Sequence, residues 1–522
     1  MTLIRSAAMV SGLTVFSRIL GYVRDLLMAT IFGASPVGEA FVIAFRLPNL
    51  FRSLFAEGAF NAAFVPLFAK RFEAGGKDEA RRFGVDVLSI LLVTLVMFST
   101  LAEIAMPWLV HIIAPGFVHD GEKFALTVTL TRIAFPYLLL ISLVAFYSGV
   151  LNSLGRFFAS AAAPIVLNAT LIASLAMVTG LDWGAEPRSA VALAWGVAVA
   201  GVIQLVLLVA AARRAGMSFA IHRPRLTPGL RRLLRLGAPG AAAAGITQFN
   251  LLVGTMISSL QTGAPVWLYY AERLYQLPLA LVGIAMGVVL LPDLARKLRA
   301  ADKKGVINEQ NRAVELSMLV TIPAAIALVA IPLILTRILF QHGAFSAADA
   351  EATAHALRAF ALGLPAFVLI KVLSPNYFAH EDTTTPMLYA GIGMIVNVVG
   401  SLSLFAVLGY VGIALSTSLA AWINAGLLAR TLTLRGYFRP DTRLKTRLRG
   451  IVLSSLIMGG CLMALSAWPF AGVFTEPTAA IVKIPALFVL VMLAVGIFLS
   501  LARLFGVLTF AELSRLIGRG GK

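Results

Sequence analysis

Apolar residues run along this chain in long continuous stretches, separated by short connections rich in lysine and arginine. Each stretch holds about 20–25 residues, the length an α-helix needs to cross a bilayer, whereas a barrel strand takes about 10 and alternates polar with apolar. The pattern predicts an all-α polytopic membrane protein with about 14 transmembrane helices. The candidate spans are 8–32, 38–69, 85–113, 124–152, 157–180, 189–212, 237–260, 264–295, 313–340, 353–378, 386–408, 410–432, 450–470 and 483–508. Charges and internal prolines mark the second, eighth and tenth, the last of these holding Arg358, Lys371 and Pro365. Arg18 and Arg24 interrupt the first span, and no small-residue cleavage site follows a clean apolar core. It therefore reads as a membrane helix rather than a cleaved signal.

Composition agrees: of 522 residues, 59% are hydrophobic and 13% charged, with a mean hydropathy of +0.91. The sole cysteine, Cys461, excludes an internal disulfide or a cysteine-based metal site, and in its apolar run it reads as a small core residue. The six histidines show no ligand spacing, and no HExxH, GxxxxGK(S/T) or GxSxG motif occurs. No cofactor is expected. ATP-driven pumping would need an ATPase supplied by another chain.

Charge sets the orientation. Between spans 2 and 3 lie Lys70, Arg71, Lys77, Arg81 and Arg82; between 6 and 7 lie Arg213, Arg214, Arg223, Arg225, Arg231, Arg232 and Arg235. The 8–9 connection holds Arg296, Lys297, Arg299, Lys303, Lys304 and Arg312, and the 12–13 connection Arg430, Arg435, Arg439, Arg443, Lys445, Arg447 and Arg449. The alternate side has only Lys123, Arg188 and Lys483, with Arg358 at its margin. Positive residues stay in the cytoplasm, so both termini are expected there. The formal charge of +19 is mostly this topogenic bias. Its dispersal over several connections argues against nucleic acid as a partner.

The chain repeats itself, with short motifs recurring in the same order at a nearly constant offset. Val65-Pro66-Leu67-Phe68-Ala69-Lys70-Arg71 parallels Leu291-Pro292-Asp293-Leu294-Ala295-Arg296-Lys297, and Val166-Leu167-Asn168 parallels Ile395-Val396-Asn397. Arg46 precedes Pro66 by almost the same interval as Arg273 precedes Pro292. A duplicated six-helix unit has an even count, so the two copies share one orientation, related by an axis along the membrane normal. The expected organisation is an N-lobe at 1–220, a C-lobe at 221–440 and a C-terminal helix pair at 441–522. That last pair reads as a lipid-facing addition, or more sharply as a groove for an acyl or prenyl chain.

Deep charges are the candidate chemistry. A charge at the centre of a membrane helix costs roughly 2.5–3.5 kcal/mol on insertion scales, so such residues usually face a wet cavity. Arg18, Arg24, Arg46 and Arg52 all fall in the first 60 residues, with Glu39 and Glu57 as acidic neighbours. Arg18 and Asp25, seven apart, share a helix face that permits pairing, and Arg24 lies about 120° away. Pro48, between Arg46 and Asn49, frees a backbone carbonyl and invites a kink. Span 8 contributes Tyr269, Tyr270, Glu272, Arg273 and Pro278. Glu103 and Arg132 read as a structural pair between spans 3 and 4, and Asp293 as the terminator of span 8. The plain alternative is that these charges pair with one another or snorkel to headgroups. Guanidinium groups suit a phosphate or pyrophosphate, because they present fixed bidentate donors and stay protonated.

Several motifs resemble the MurJ/MviN family of lipid II flippases, within the MOP transporter superfamily. They are Ser17-Arg18-Ile19-Leu20-Gly21-Tyr22-Val23-Arg24-Asp25, Phe45-Arg46-Leu47-Pro48-Asn49-Leu50-Phe51-Arg52 and Phe55-Ala56-Glu57-Gly58-Ala59-Phe60. Tyr269-Tyr270-Ala271-Glu272-Arg273-Leu274 and Lys371-Val372-Leu373-Ser374-Pro375 join them. The resemblance implies two six-helix lobes plus two further helices, and outward flipping of an undecaprenyl-pyrophosphoryl-linked peptidoglycan precursor across the bacterial inner membrane. It also implies a transporter and no enzyme, with membrane lipids and cell-wall synthesis proteins as candidate partners. It places substrate-binding arginines at Arg18, Arg24, Arg52 and Arg273, an acidic position at Glu39 and a gate glutamate at Glu57. Arg46, Pro48, Asn49, Glu272 and Lys371 are expected to gate or support. A seventh-helix acidic residue that serves a sodium site in some members has no counterpart, because Gly237–Gln261 contains no Asp or Glu. The rival readings are a lipid-linked oligosaccharide exporter and a cation-coupled multidrug antiporter.

Overall fold

A computed structural model describes residues 3–55, 59–300, 302–468, 470 and 480–507, and every element among them is helical. The chain divides into two compact units. The first comprises Met1–Val266 and His342–Ser346; the second comprises Trp267–Gln341 and Ala347–Lys522.

The first unit opens with α1 (Leu3–Phe32) and α2 (Pro36–Phe55). Within the expected span at 38–69, α2 carries the described residues up to Phe55 and α3 (Ala59–Ile104) those from Ala59 onward, and α3 continues into the third span. Two helices meet inside α3 at Gly75 and Gly76. Gly76 has φ +65°, which a side chain would resist, and this lets the basic connection turn without a loop. There follow α4 (Met106–Ile113), a 3₁₀ turn (Pro115–His119), α5 (Gly121–Ala134), α6 (Tyr137–Ser153), α7 (Phe158–Gly180), α8 (Pro187–Arg214) and α9 (Pro228–Ser258). Phe64 centres an aromatic core, its ring 5.1–5.9 Å from those of Phe60, Phe68, Phe83 and Phe146. A second core joins Phe41, Tyr137, Leu171 and Leu193 from α2, α6, α7 and α8.

The second unit runs from α10 (Ala264–Arg299) through α11 (Lys303–Ala330), α12 (Pro332–Phe340), α13 (Ala347–Ala361), α14 (Leu364–Ala379), α15 (Thr384–Leu408) and α16 (Tyr410–Leu434) to α17 (Thr442–Ala467) and α18 (Ala480–Leu504). The first three residues of α10 belong to the first unit. α17 and α18 pack on α11 and α12 through Ile451, Met458, Leu462, Leu490 and Phe498 against Ile331 and Ile338. The far side of α18 is apolar and exposed, as expected for a lipid-facing pair. Cys461, expected in the core, is half-buried on α17.

The repeat is visible in where helices break. Span 3 stops at Ala105 and restarts with Pro107 in the next first turn; at the matching point of the second copy, α11 gives way at Ile331 to α12 with Pro332 leading. Span 4 breaks at Phe135-Pro136, and its counterpart breaks at Leu362-Gly363 before Pro365. Proline is tolerated in a first turn because its missing N–H has no helical partner there. Apolar periodicity alone merged each pair into one span. Among the described residues ten helical stretches are long and apolar enough to cross a membrane. α1, which carries the charges of span 1, is not in that set.

Candidate functional site

On α1, Ser17, Gly21 and Arg24 recur at helical spacing and face α7. Arg24 is 7% exposed and Asp25 3%. Arg24 donates through Nε (3.1 Å) and Nη2 (2.7 Å) to Asp25 Oδ1, and through Nη1 (3.0 Å) to Asn168 Oδ1 on α7. Asn168 Nδ2 in turn donates to the Ser17 carbonyl at 2.9 Å. The guanidinium is thus charge-compensated and aimed by a neighbouring helix. Asp25, which spacing alone offered to Arg18, is engaged by Arg24. Arg18, one residue beyond Ser17, is exposed on another face of α1.

Glu39, in the first turn of α2, is fully buried. Its carboxylate accepts from Lys123 Nζ at 2.6 Å and from the Gly263 backbone N–H. Lys123 also lies 4.1 Å from the centre of the Phe117 ring. Arg46 Nη1 donates at 2.7 Å to Thr255 Oγ1 on α9, whose own hydroxyl donates to Leu251 O at 2.8 Å. Pro48 is buried inside α2 and Asn49 half-buried. The side chain of Arg52 and the whole of Glu57 lie outside the described residues.

In the second unit, Arg273 sits over the Tyr269 ring at 4.7 Å and donates through Nη2 to its hydroxyl at 3.2 Å. Four residues separate them on α10, so helix geometry brings them together. A guanidinium on an aromatic face is held in place while its charge persists. The same helix is rich in other aromatic contacts: Tyr270 meets Phe340, and Trp267 meets Tyr410 and donates to Asp349 Oδ1 at 2.9 Å. Glu272 is half-buried and Lys371 exposed. Glu103 Oε1 is buried with no hydrogen-bond partner, and its expected mate Arg132, though exposed, lies close enough to act on its charge. Asp293, expected to terminate span 8, lies inside α10, which runs on to Arg299, and it accepts from Arg296 one turn further along. No group of three or more potential metal-ligating side chains occurs among the described residues.

Three partners were not among the candidate site residues read from the sequence: Asn168, Thr255 and Lys123. Asn168 had the best signal, as a polar residue in an apolar run that recurs in the second copy. A further hub was unsuspected. Glu315, 4% exposed on α11, accepts from Arg312, from Arg443 at 3.3 Å and from Arg447, while Arg312 also meets Asp441.

A helical membrane chain whose helix breaks recur at a nearly constant offset, with oriented arginines inside its helices, belongs to the class of polytopic transporters. The model of the family described as "Lipid II flippase MurJ" matches residues 28–503. A protein of Rhizobium meliloti (strain 1021) named "Probable lipid II flippase MurJ" is 45% identical, covering 100% of this chain and 97% of its own. The "Lipid II flippase MurJ" of Burkholderia cenocepacia is 36% identical over 88% of this chain and 89% of its own. Among solved structures, "Lipid II flippase MurJ, inward closed conformation" aligns with TM-score 0.79 at 24% identity, covering 95% of this chain and 98% of that one. An inward-facing multidrug MATE transporter of the MOP superfamily aligns with TM-score 0.69 at 13% identity, over 80% and 94%. The chain is a member of the lipid II flippase MurJ family.

Proposed function

We propose that this chain moves lipid II from the cytoplasmic to the periplasmic leaflet of the bacterial inner membrane, with both its termini in the cytoplasm. The observation that carries the reading is full-length identity of 45% to a probable lipid II flippase. In this proposal two six-helix lobes alternate access, and Arg18, Arg24, Arg52 and Arg273 hold the pyrophosphate. The geometry of Arg24 supports a specific version. Asp25 and Asn168 keep its guanidinium oriented when empty, and a diphosphate with more charge and fixed acceptor geometry competes with Asp25 for it. Glu39, Arg46, Pro48, Asn49, Glu57, Glu272 and Lys371 gate or support this movement. The prenyl tail stays in lipid, where the apolar groove of about 620 Å³ along α18, lined by Phe488, Met492 and Gly496, offers it a track. No bond is broken.

The test is the accessibility of lipid-linked precursor to an externally added enzyme in cells whose sole flippase is this chain. Exposure that disappears on depletion of the chain supports the reading; unchanged exposure removes it. The MATE-like fold favours one second reading, a drug antiporter. Ion-coupled drug efflux from vesicles, with precursor exposure unaffected by depletion, would establish that instead.

A further inference from the structure

Acids reach part of the basic connections in one unit and miss a whole arginine cluster in the other. In the second unit Arg296, Lys297, Arg312, Arg435, Arg443 and Arg447 are all folded onto acids: Asp293, Glu309, Glu315, Asp382 and Asp441. In the first unit Arg223, Arg225, Arg231, Arg232 and Arg235 are exposed, and among the described residues none of their side chains has an ion pair or hydrogen bond. The nearby acids of α3 do not reach them. Asp86 is taken by His222 Nε2 at 3.1 Å, and Glu73, Asp78 and Glu79 point into solvent.

Topogenic charge needs no particular surroundings, yet this segment is built. It is fastened to the unit by Phe219 against Phe146 and Tyr147, with ring centres 5.3 and 5.9 Å apart, and by the His222 N–H on Ser89 Oγ at 3.2 Å. Leu230 and Leu233 anchor the first turns of α9 inward. Between these fixed points Ile221, Leu226, Leu234 and Leu236 are 54–62% exposed, interleaved with the arginines. Exposed aliphatics alternating with unpaired guanidinium groups, beside helix ends of a membrane protein, match the boundary between headgroups and acyl chains.

We infer that the α8–α9 connection and the first turns of α9 form a docking surface for anionic phospholipid headgroups of the adjoining leaflet. The arginines take the phosphates and the four aliphatic side chains enter the acyl region. This surface is separate from the residues assigned to the transported lipid, and it rests on the membrane reading alone.

The chain's single cysteine makes the test clean. In a Cys461→Ser background, Leu226→Cys is labelled with an environment-sensitive fluorophore. The full chain is reconstituted in phosphatidylcholine vesicles carrying spin-labelled phosphatidylglycerol or, at equal mole fraction, spin-labelled phosphatidylcholine. Phosphatidylglycerol should appear enriched around the label by about fivefold, the factor expected for even one arginine near an anionic surface. High salt should abolish the difference, as should glutamine at all five arginine positions; lysine at all five should retain it. The salt arm keeps the comparison valid if the glutamine variant fails to fold. Equal quenching by both lipids overturns the headgroup assignment. Absence of quenching by either places the segment in water or against an acidic protein, and overturns it too. Both leaflets have the same composition, so neither result bears on orientation or on transport.

Discussion

The first and second units carry similar numbers of basic residues on their connections but put them to different mechanical ends. The second unit pairs six of its basic connection residues with acids, and Glu315 gathers three of them from α11 and α17. α17 is thereby tied to α11 by charge as well as by the apolar seam at Ile451 and Met458. The first unit leaves its arginines outward on a fastened segment. Sequence rules about positive residues set which side they occupy, and the location of acids decides whether they act as a clamp or stay available. Within the spans, Arg24 is paired with Asp25, and Arg273 lies over the Tyr269 ring.

Removing Glu315 should break the contrast most strongly. Glu315→Ala leaves three guanidinium groups around a buried position, and loss of one partner of a buried ion pair typically costs about 3–5 kcal/mol. Thermal unfolding in detergent should show the drop, and Arg443→Ala, half-exposed, should cost far less. An equal effect from both would deny Glu315 its role as hub.

Asn168→Leu comes next. It removes a neutral acceptor of a charged donor, a bond worth roughly 1.5–3 kcal/mol, without removing charge. Under the proposed function it should depress precursor exposure at unchanged protein level. A full wild-type signal would show that Asn168 does not position Arg24. Thr255→Val, which deprives Arg46 of its acceptor on α9, should cost about 1–2 kcal/mol, measured in the same unfolding assay.

The smallest effect concerns Asp382, in the turn between α14 and α15. Burial pushes its pKa up, but the Arg435 guanidinium and the Thr385 hydroxyl and N–H outweigh this and hold the carboxyl at about 2, against an ordinary 3.8. A depressed folded-state pKa contributes stability above the unfolded value and loses it as pH falls through the folded one. The difference in thermal midpoint between wild type and Asp382→Asn should therefore be constant from pH 7 to about 5 and vanish towards pH 2. Solvent around the pair keeps it small. A difference that grows on acidification would reverse the assignment.

Much of this was legible in the chain. Long apolar runs specified helices, and the offset between the repeated motifs reappears in the paired breaks at Ala105 and Ile331. Pro48 and the deep arginines announced the unusual spans. What could not be read is which face of α1 meets α7. That contact alone separates buried Arg24 from exposed Arg18, and it joins Arg24 to a residue 144 positions away. Glu315 was invisible for the same reason, since two of its three arginines arrive from α17. Spacing along one helix offered Asp25 to Arg18, but the neighbouring guanidinium, directed by Asn168, took it.

The central claim is that oriented guanidinium groups hold the diphosphate of the transported lipid. Its most direct measurement is precursor exposure to an external enzyme in cells whose sole flippase is Arg24→Ala or Arg273→Ala, each at wild-type protein level. The account predicts that precursor remains shielded in both. Wild-type exposure in both variants would contradict it.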